Sequence, residues 1–432
     1  MKVLLVHPVV REWAKPCNIP LGVLYTSAAL KQAGVDVRVF DDNQLRCSDQ
    51  VILDTLGDLK FDVIGISAIC HQYKQVKRWV KLIRQVNPNQ PIIVGGPISV
   101  LGEKLVRWLG VGVWSGESEA GFPEAVTSRA AMVPMVQLSL GGVDTLDALP
   151  FPDWDGVDMR AYADAPVGWV NKRKWAGGDA ADSKLPRSMN LLAARGCPHK
   201  CAFCAHDFMG KKFRVRSPGN ILREMQELWD RWDIRYFHLS DDNTMSSPSW
   251  VYKFLDAKGR HLVLKDALWG CAGRADACNA EMLQRMYWAG CRIVGVGIES
   301  GSQRILDAMN KRTTVAENEK AIANCKKVFG AANYSLIVGS PGETDADITA
   351  SISLCRRTKT RPEVVFIATP IPGSAWYDLA LKQGLIPDEE AYLENLGENK
   401  NLNCNISGQP DSWVLAAQAR IIEETREFGG AI

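Results

Sequence analysis

Cys197, Cys201 and Cys204 lie in Arg195-Gly196-Cys197-Pro198-His199-Lys200-Cys201-Ala202-Phe203-Cys204, a C-x3-C-x2-C spacing. Three thiolates on one loop can each bind one iron of a [4Fe–4S] cluster, whose ligands are normally cysteine. No fourth cysteine follows nearby, so one iron would lack a protein ligand and stand open to a small molecule. That arrangement suits chemistry better than plain electron transfer. Zinc is the alternative, with His199 and His206 close in sequence, although structural zinc usually pairs C-x2-C with a second pair or with histidines. The other cysteines, among them Cys17, Cys47, Cys70 and Cys355, are scattered singly without the spacing of a disulfide framework. They read as small buried hydrophobes in a reducing compartment.

Such a loop needs a frame, and the pattern around it supplies one. From Met189 onward six apolar strands are expected: Asn190 to Arg195, Tyr236 to Leu239, Ala267 to Gly270, Ile293 to Ile298, Tyr334 to Val338 and Val364 to Ala368. Helical patterns such as Pro218 to Trp232 and Glu281 to Ala289 separate them. Six βα units fall short of a closed eight-stranded barrel, so the expectation is an open one. Beyond Trp376 the chain reads as helical, with a charged terminal helix over Gln418 to Glu427.

The first part alternates in the same way. Strands are expected at Val3 to Val6, Val35 to Phe40, Val63 to Ser67, Pro91 to Val94 and Gly112 to Trp114, with helices near Gly22 to Gln32 and Tyr73 to Gln85. Unbroken apolar strands separated by helices imply a parallel sheet covered on both faces. Ligands of such sheets sit outside the carboxyl ends of the strands. Those ends carry Pro8, Ser67-Ala68-Ile69-Cys70-His71, Gly95-Gly96-Pro97 and Gly116-Glu117-Ser118, whose small residues let a ligand approach the backbone. Each alone would pass as a tight turn; four in one half point to a binding edge. Residues from about Ala130 to Lys184 break the pattern and read as a linker with a short hairpin through Trp169 to Trp175.

At 432 residues the chain is long enough for two or three domains, and 46% hydrophobic with 23% charged residues is ordinary for a soluble globular protein. A net charge of +2 without a basic stripe argues against a nucleic-acid partner. Pro8, Arg11 and Glu12 interrupt the first apolar run too early for a signal peptide, and no stretch approaches the length of a membrane span. A cytoplasmic protein is expected.

With the cysteine loop placed after the strand that opens a six-unit βα series, the chain resembles the radical S-adenosylmethionine (SAM) enzymes over residues 186–375. The resemblance implies that Cys197, Cys201 and Cys204 hold a [4Fe–4S] cluster whose fourth iron takes the amino and carboxylate groups of SAM, with Phe203 near the adenine. Leu239-Ser240-Asp241-Asp242-Asn243, Gly273-Arg274-Ala275-Asp276, Gly297-Ile298-Glu299-Ser300-Gly301-Ser302 with Leu306-Asp307-Ala308-Met309-Asn310-Lys311, Gly339-Ser340-Pro341-Gly342-Glu343 and Ala368-Thr369-Pro370-Ile371-Pro372-Gly373-Ser374 resemble the later strand motifs of the cobalamin-associated branch. On that resemblance Arg274 can pair with the SAM carboxylate through a bidentate contact. Glu299 would neutralise the amino group or sulfonium, and Asp241 and Asp242 would take ribose hydroxyls or substrate. Ser300 and Gly339 would line the same cofactor.

Residues 1–135 resemble the flavodoxin-like (Rossmann-type) cobalamin-binding domain of that branch, through Pro20-Leu21-Gly22-Val23-Leu24-Tyr25, Ile64-Gly65-Ile66-Ser67 and Val94-Gly95-Gly96-Pro97. There is no D-x-H-x-x-G, the motif that brings histidine to cobalt elsewhere. His71 and Tyr73 fall in the loop expected below the corrin, where hydrogen bonding is favoured over ligation for His71. The full expectation is an α/β chain: this domain, a linker over 136–185, a partial (β/α)6 barrel over 186–375 and a small helical region over 376–432.

The function implied is a cobalamin-dependent radical SAM methyltransferase acting at an unactivated carbon, with a peptide or protein preferred over a small metabolite as its substrate. One SAM methylates cobalamin; a second is cleaved to a 5′-deoxyadenosyl radical that removes a substrate hydrogen before the methyl is transferred. A flavodoxin or ferredoxin would supply electrons. The alternatives are an oxidative cyclase or another non-methylating radical enzyme with the same cofactors, then a methylthio transferase, which would carry a second cysteine triplet, and last a non-catalytic sensor. Trp169, Trp175 and Trp376 are candidates to border the substrate.

Overall fold

The structure is a computed structural model that describes residues 1–14, 16–129, 136–138, 143–165, 186–205 and 212–428. The expected hairpin through Trp169 to Trp175, and His206, lie outside the described residues. The chain divides into two compact units: residues 1–165 with 205–214 and 388–396, and residues 166–204 with 215–387 and 397–432.

In the first unit the apolar runs become six parallel strands, β1 (Lys2–His7), β2 (Asp36–Asp41), β3 (Val63–Ser67), β4 (Ile92–Gly95), β5 (Gly112–Ser115) and β6 (Val136–Leu138), in the order β2-β1-β3-β4-β5-β6. The order reverses between β1 and β3, the switch point of a flavodoxin-like sheet. Helix Tyr73–Val86 buries Tyr73, Val76, Trp79, Val80 and Ile83, a helical spacing that lays one stripe on the sheet. Trp79 is fully buried, edge-on to Phe40, and its indole N–H donates to Asp42 Oδ2 at 2.9 Å.

Residues 136–138, expected to begin the linker, instead supply the sixth strand. Residues 143–165 belong to the same unit. Asp153 binds Ser27 and Lys31 there, and Tyr162 bonds to Asp41. Helix Glu389–Glu394, far along the chain, also folds into this unit. Tyr73 and Lys77 bond to Glu390, and Leu393 and Leu396 join the core.

The second unit holds β7 (Ser188–Leu191), β8 (Tyr236–Leu239), β9 (Leu268–Arg274), β10 (Cys291–Glu299), β11 (Asn333–Val338) and β12 (Val364–Ile367). All are parallel and each pairs only with its sequence neighbours, an open partial barrel. Ala194–Arg195, expected to continue β7, forms a separate short strand.

Helices cover the outer face. Pro218–Trp232 starts at the Ser217 cap with Pro218 in its first turn and ends at Asp233 in the left-handed region. Val315–Phe329 carries a Thr314/Glu317 capping box. Trp250 stacks on Phe254, which meets Trp269 edge-on, so these tryptophans are core. The last helix runs over Asp411–Glu424 rather than Gln418 to Glu427, burying Val414, Ala417 and Ile421.

Candidate functional site

The cysteine loop leaves the barrel after Arg195 through Gly196. Its backbone is tied down at Ala202, whose N–H donates to Met309 O at 2.8 Å and whose carbonyl accepts from Trp376 N at 3.0 Å. Cys197 and Cys201 are half-buried and Cys204 is exposed. Burial pushes the Cys197 thiol above its ordinary value, and the negative charges of Asp242 and Cys201 add to that push.

Among the described residues no three histidine, cysteine, aspartate or glutamate side chains gather as a single metal ion would require. The zinc alternative also drew on His206, which lies outside the described residues. A cluster asks something different, one thiolate for each of three irons, and three thiols on one tethered loop fit it.

Around the loop stand charged groups from successive strand ends. Arg274, closing β9, has Nη1 at 3.6 Å from Cys201 Sγ, Nε at 3.3 Å from Asp276 Oδ1, and Nη2 bonded to Lys311 O. Its guanidinium therefore braces the site's own walls in this structure. Asp242 is exposed and acts electrostatically on Cys197.

Glu299 ends β10 in the left-handed region at φ 63°, a conformation that non-glycine residues adopt at a cost and that clusters at functional sites. Its carboxylate accepts from Lys311 Nζ at 2.7 Å and from Ser335 Oγ at 3.3 Å. A Cβ on Gly297 would overlap Glu299 Oε1 and come within 2.9 Å of Lys311 Nζ, so glycine there makes room for the pair. Phe203 packs on Trp376 with ring centroids 5.7 Å apart.

Three expected contacts turn inward instead. Asp241 is buried and accepts from Ala193 N, Ala194 N and Thr244 Oγ1 at 2.7 to 2.9 Å, with burial raising its pKa to about 6. It organises the start of the cysteine loop rather than offering a free carboxylate. Ser300 is fully buried, and its hydroxyl accepts from Ser302 N. Gly339 donates its N–H to Glu343 Oε2 at 2.6 Å, and burial raises Glu343 to about 7. These residues shape turns.

The carboxyl edge of the first sheet is built from backbone. Ser67, Gly95, Gly96, Pro97, Gly116 and His71 are half-buried there. Gly96 has φ 81°, and a Cβ on it would lie 2.9 Å from Ala68 O, so only glycine fits. Ala68 is buried, donating to Gly95 O and accepting from Ile98 N. Pro8 O accepts from Gln72 Nε2 at 2.6 Å, while Gln72 Oε1 accepts from Ile69 N. Gln72 thus braces two loops, a role its sequence position did not reveal.

Leu21 is buried at the start of its helix, and Gly22 O accepts from Thr26 Oγ1 inside it. Tyr73 lies in the core with its hydroxyl on Glu390 at 2.8 Å, not in the loop beneath a ligand. Glu117 forms a buried ion pair with Arg214 at 2.6 and 3.1 Å and accepts from Val143 N at 2.7 Å, so its carboxylate is structural.

This chain matches two family models, the radical SAM superfamily over residues 191–355 and the B12 binding domain over residues 8–126. An uncharacterized methyltransferase of Pyrococcus horikoshii, PH0819, is 26% identical over 414 residues, covering 89% of this chain and 84% of the relative. The anaerobic magnesium-protoporphyrin IX monomethyl ester cyclase of Rubrivivax gelatinosus is 25% identical over 392 residues, covering 82% and 66%. Among solved structures, the radical SAM methyltransferase TsrM of Kitasatospora setae, with cobalamin and [4Fe–4S] cluster bound, has a TM-score of 0.67 at 17% identity. It covers 89% of this chain and 78% of that one, a likeness of fold.

Proposed function

Because the chain belongs to the cobalamin-dependent radical SAM enzymes, in their methyltransferase branch, we propose that it transfers a methyl group to an unactivated carbon of a small molecule. The cofactors are a [4Fe–4S] cluster, SAM and cobalamin, which when bound supply one-electron cleavage of SAM and a transferable methyl group. Cys197, Cys201 and Cys204 would hold the cluster. Phe203 and Trp376 offer an aromatic wall, and the Glu299 carboxylate faces charge of opposite sign. Asp242 and Arg274 complete the rim, orienting the substrate side and bracing the loop. Ser67, Gly95, Gly96, Pro97 and Gly116 would line the cobalamin through their backbone, with His71 hydrogen-bonding beside them.

The observation that carries the reading is the three-thiol loop, tethered through Ala202 and faced by Arg274 from the end of β9. A small substrate is preferred here to the peptide that the sequence suggested, because the relative from Rubrivivax gelatinosus is named for a small molecule, magnesium-protoporphyrin IX monomethyl ester. The electron donor would be a flavodoxin or ferredoxin. A cyclase is the second reading, favoured by the 25% identity to the Rubrivivax gelatinosus enzyme over most of this chain.

Anaerobic reconstitution with iron, sulfide, cobalamin and methyl-deuterated SAM, followed by mass spectrometry of a small-molecule panel, is the test. Deuterated methyl in a product supports the proposal. Formation of 5′-deoxyadenosine with an unlabelled, oxidised product would hand the function to the cyclase reading, and failure to bind cobalamin would remove methyl transfer through it.

A further inference from the structure

Met309, Asn310 and Lys311 are consecutive, yet they bond to three different walls of the second unit's site. Met309 O accepts from Ala202 N at 2.8 Å, and Asn310 Nδ2 donates to Lys200 O at 2.7 Å, so both grip the cysteine loop. Lys311 O accepts from Arg274 at the end of β9. Lys311 Nζ donates to Glu299 Oε1 at the end of β10, 2.7 Å away, and stands 5.6 Å over the ring of Phe203. The flanking residues Asn310 and Arg312 hold φ of 50° and 56°, the left-handed region that costs L side chains free energy.

Lys311 and Glu299 are 4% and 7% exposed, so this is a buried ion pair. Such pairs contribute little to stability relative to apolar packing of the same volume, because desolvation offsets their attraction. Its place at a ligand edge, with Gly297 giving it room and one ammonium shared between a carboxylate and an aromatic face, calls for a positional role.

We infer that Lys311 is a positioning residue that fixes the gap between Phe203 on the cysteine loop and Glu299 on β10, so that SAM enters a pocket of preset width. The inference rests on the reading of this edge as the SAM site. Lys311 holds Glu299 by a charge-assisted bond and Phe203 by a cation–π contact. Its main chain holds Arg274, and its neighbours hold the loop. Removing the ammonium cuts the one link common to both walls, leaving Glu299 with Ser335, Phe203 with Trp376 and the three thiols in place.

The test uses the full-length, anaerobically reconstituted protein as Lys311→Met, as Lys311→Arg and as the double variant Lys311→Met/Glu299→Gln, which leaves no unpaired buried charge. Iron and sulfide per chain, SAM affinity by equilibrium dialysis, and the electron paramagnetic resonance of the reduced cluster with and without SAM are the readouts. Lys311→Met should keep the parent's iron and sulfide content, weaken SAM roughly thirtyfold, and lose the SAM-induced spectral change at concentrations that saturate the parent. Lys311→Arg should recover to within about fivefold of the parent, the charge being restored on a differently shaped head.

Parent-like SAM affinity in Lys311→Met overturns the inference. Should that variant fail to fold, the double variant is read against Glu299→Gln alone, because Glu299 itself faces SAM: SAM binding weaker than in that single variant, with the cluster retained, supports positioning, and affinity equal to it overturns it. Loss of iron and sulfide in both variants also overturns it, because Lys311 would then merely hold the fold. A parent protein that takes up no cluster or no SAM is a separate result and sinks the reading of the site itself.

Discussion

Two sheets of six parallel strands present two unlike edges. At the first, the half-buried residues are Ser67, Gly95, Gly96, Pro97 and Gly116, while the acidic residues nearby are engaged internally: Glu117 by Arg214, Asp41 by Tyr162, Asp42 by Trp79 and Arg78. At the second, three thiols stand among Arg274, Asp242, Glu299 and Lys311. On the proposed function the same architecture would serve two recognition problems. A large, rigid, amide-rimmed macrocycle would be met by close backbone approach, which calls for small side chains. A small zwitterion on an iron–sulfur cluster would be met by placed charges and soft ligands, which calls for larger ones.

The sharpest way to break that contrast is Cys201→Ala. Iron content and SAM cleavage should collapse, the cleavage by at least about 100-fold, while cobalamin binding stays at the parent level; spectroscopic titration with cobalamin after iron analysis checks it. Loss of cobalamin binding in the same variant would show that the edges are not independent.

Gly96→Ala probes the other side. With φ 81° and a new Cβ 2.9 Å from Ala68 O, the substitution should destabilise the first unit by about 1–3 kcal/mol and weaken cobalamin. Chemical denaturation and iron analysis together decide the outcome, since iron content should not move.

The smallest effect belongs to Arg312→Gly. Relieving φ 56° should stabilise the protein by about 1 kcal/mol, read as a rise in thermal midpoint. A fall would mean that the bond from Arg312 Nε to Asn310 Oδ1, 3.2 Å long, outweighs the strain.

Strands were legible where polar or charged residues bound an apolar run, Asp62 and Ser67 for β3 and Arg235 and Ser240 for β8: these two match their expected bounds, and the other early strands differ by a residue or two. Three-residue β6 was not, because so short a run acquires its identity only by pairing with β5. The helix from Asp411 hid for a different reason, its Val414, Ala417 and Ile421 stripe being blurred by the exposed apolar residues Leu415 and Ile422. At the site, residue types were readable and side-chain directions were not. Asp241, Ser300 and Tyr73 carry groups suited to ligands, yet hydrogen bonds turn all three into the fold. Glu117 found its partner 97 positions along the chain. Lys311 was visible only as one letter of a longer motif, since its importance lies in which walls it joins.

The return of residues 388–396 to the first unit has a consequence for synthesis. When the first 165 residues have emerged from the ribosome, Leu393 and Leu396 of that unit's core have not yet been translated. Nor have Glu389 and Glu390, the partners of Lys104 and of Tyr73 and Lys77. The first unit must therefore wait with an unfinished surface while nearly all of the barrel is made, at roughly 5–20 residues per second. No single cut of the chain yields two complete halves, and nascent-chain folding here must run out of sequence order.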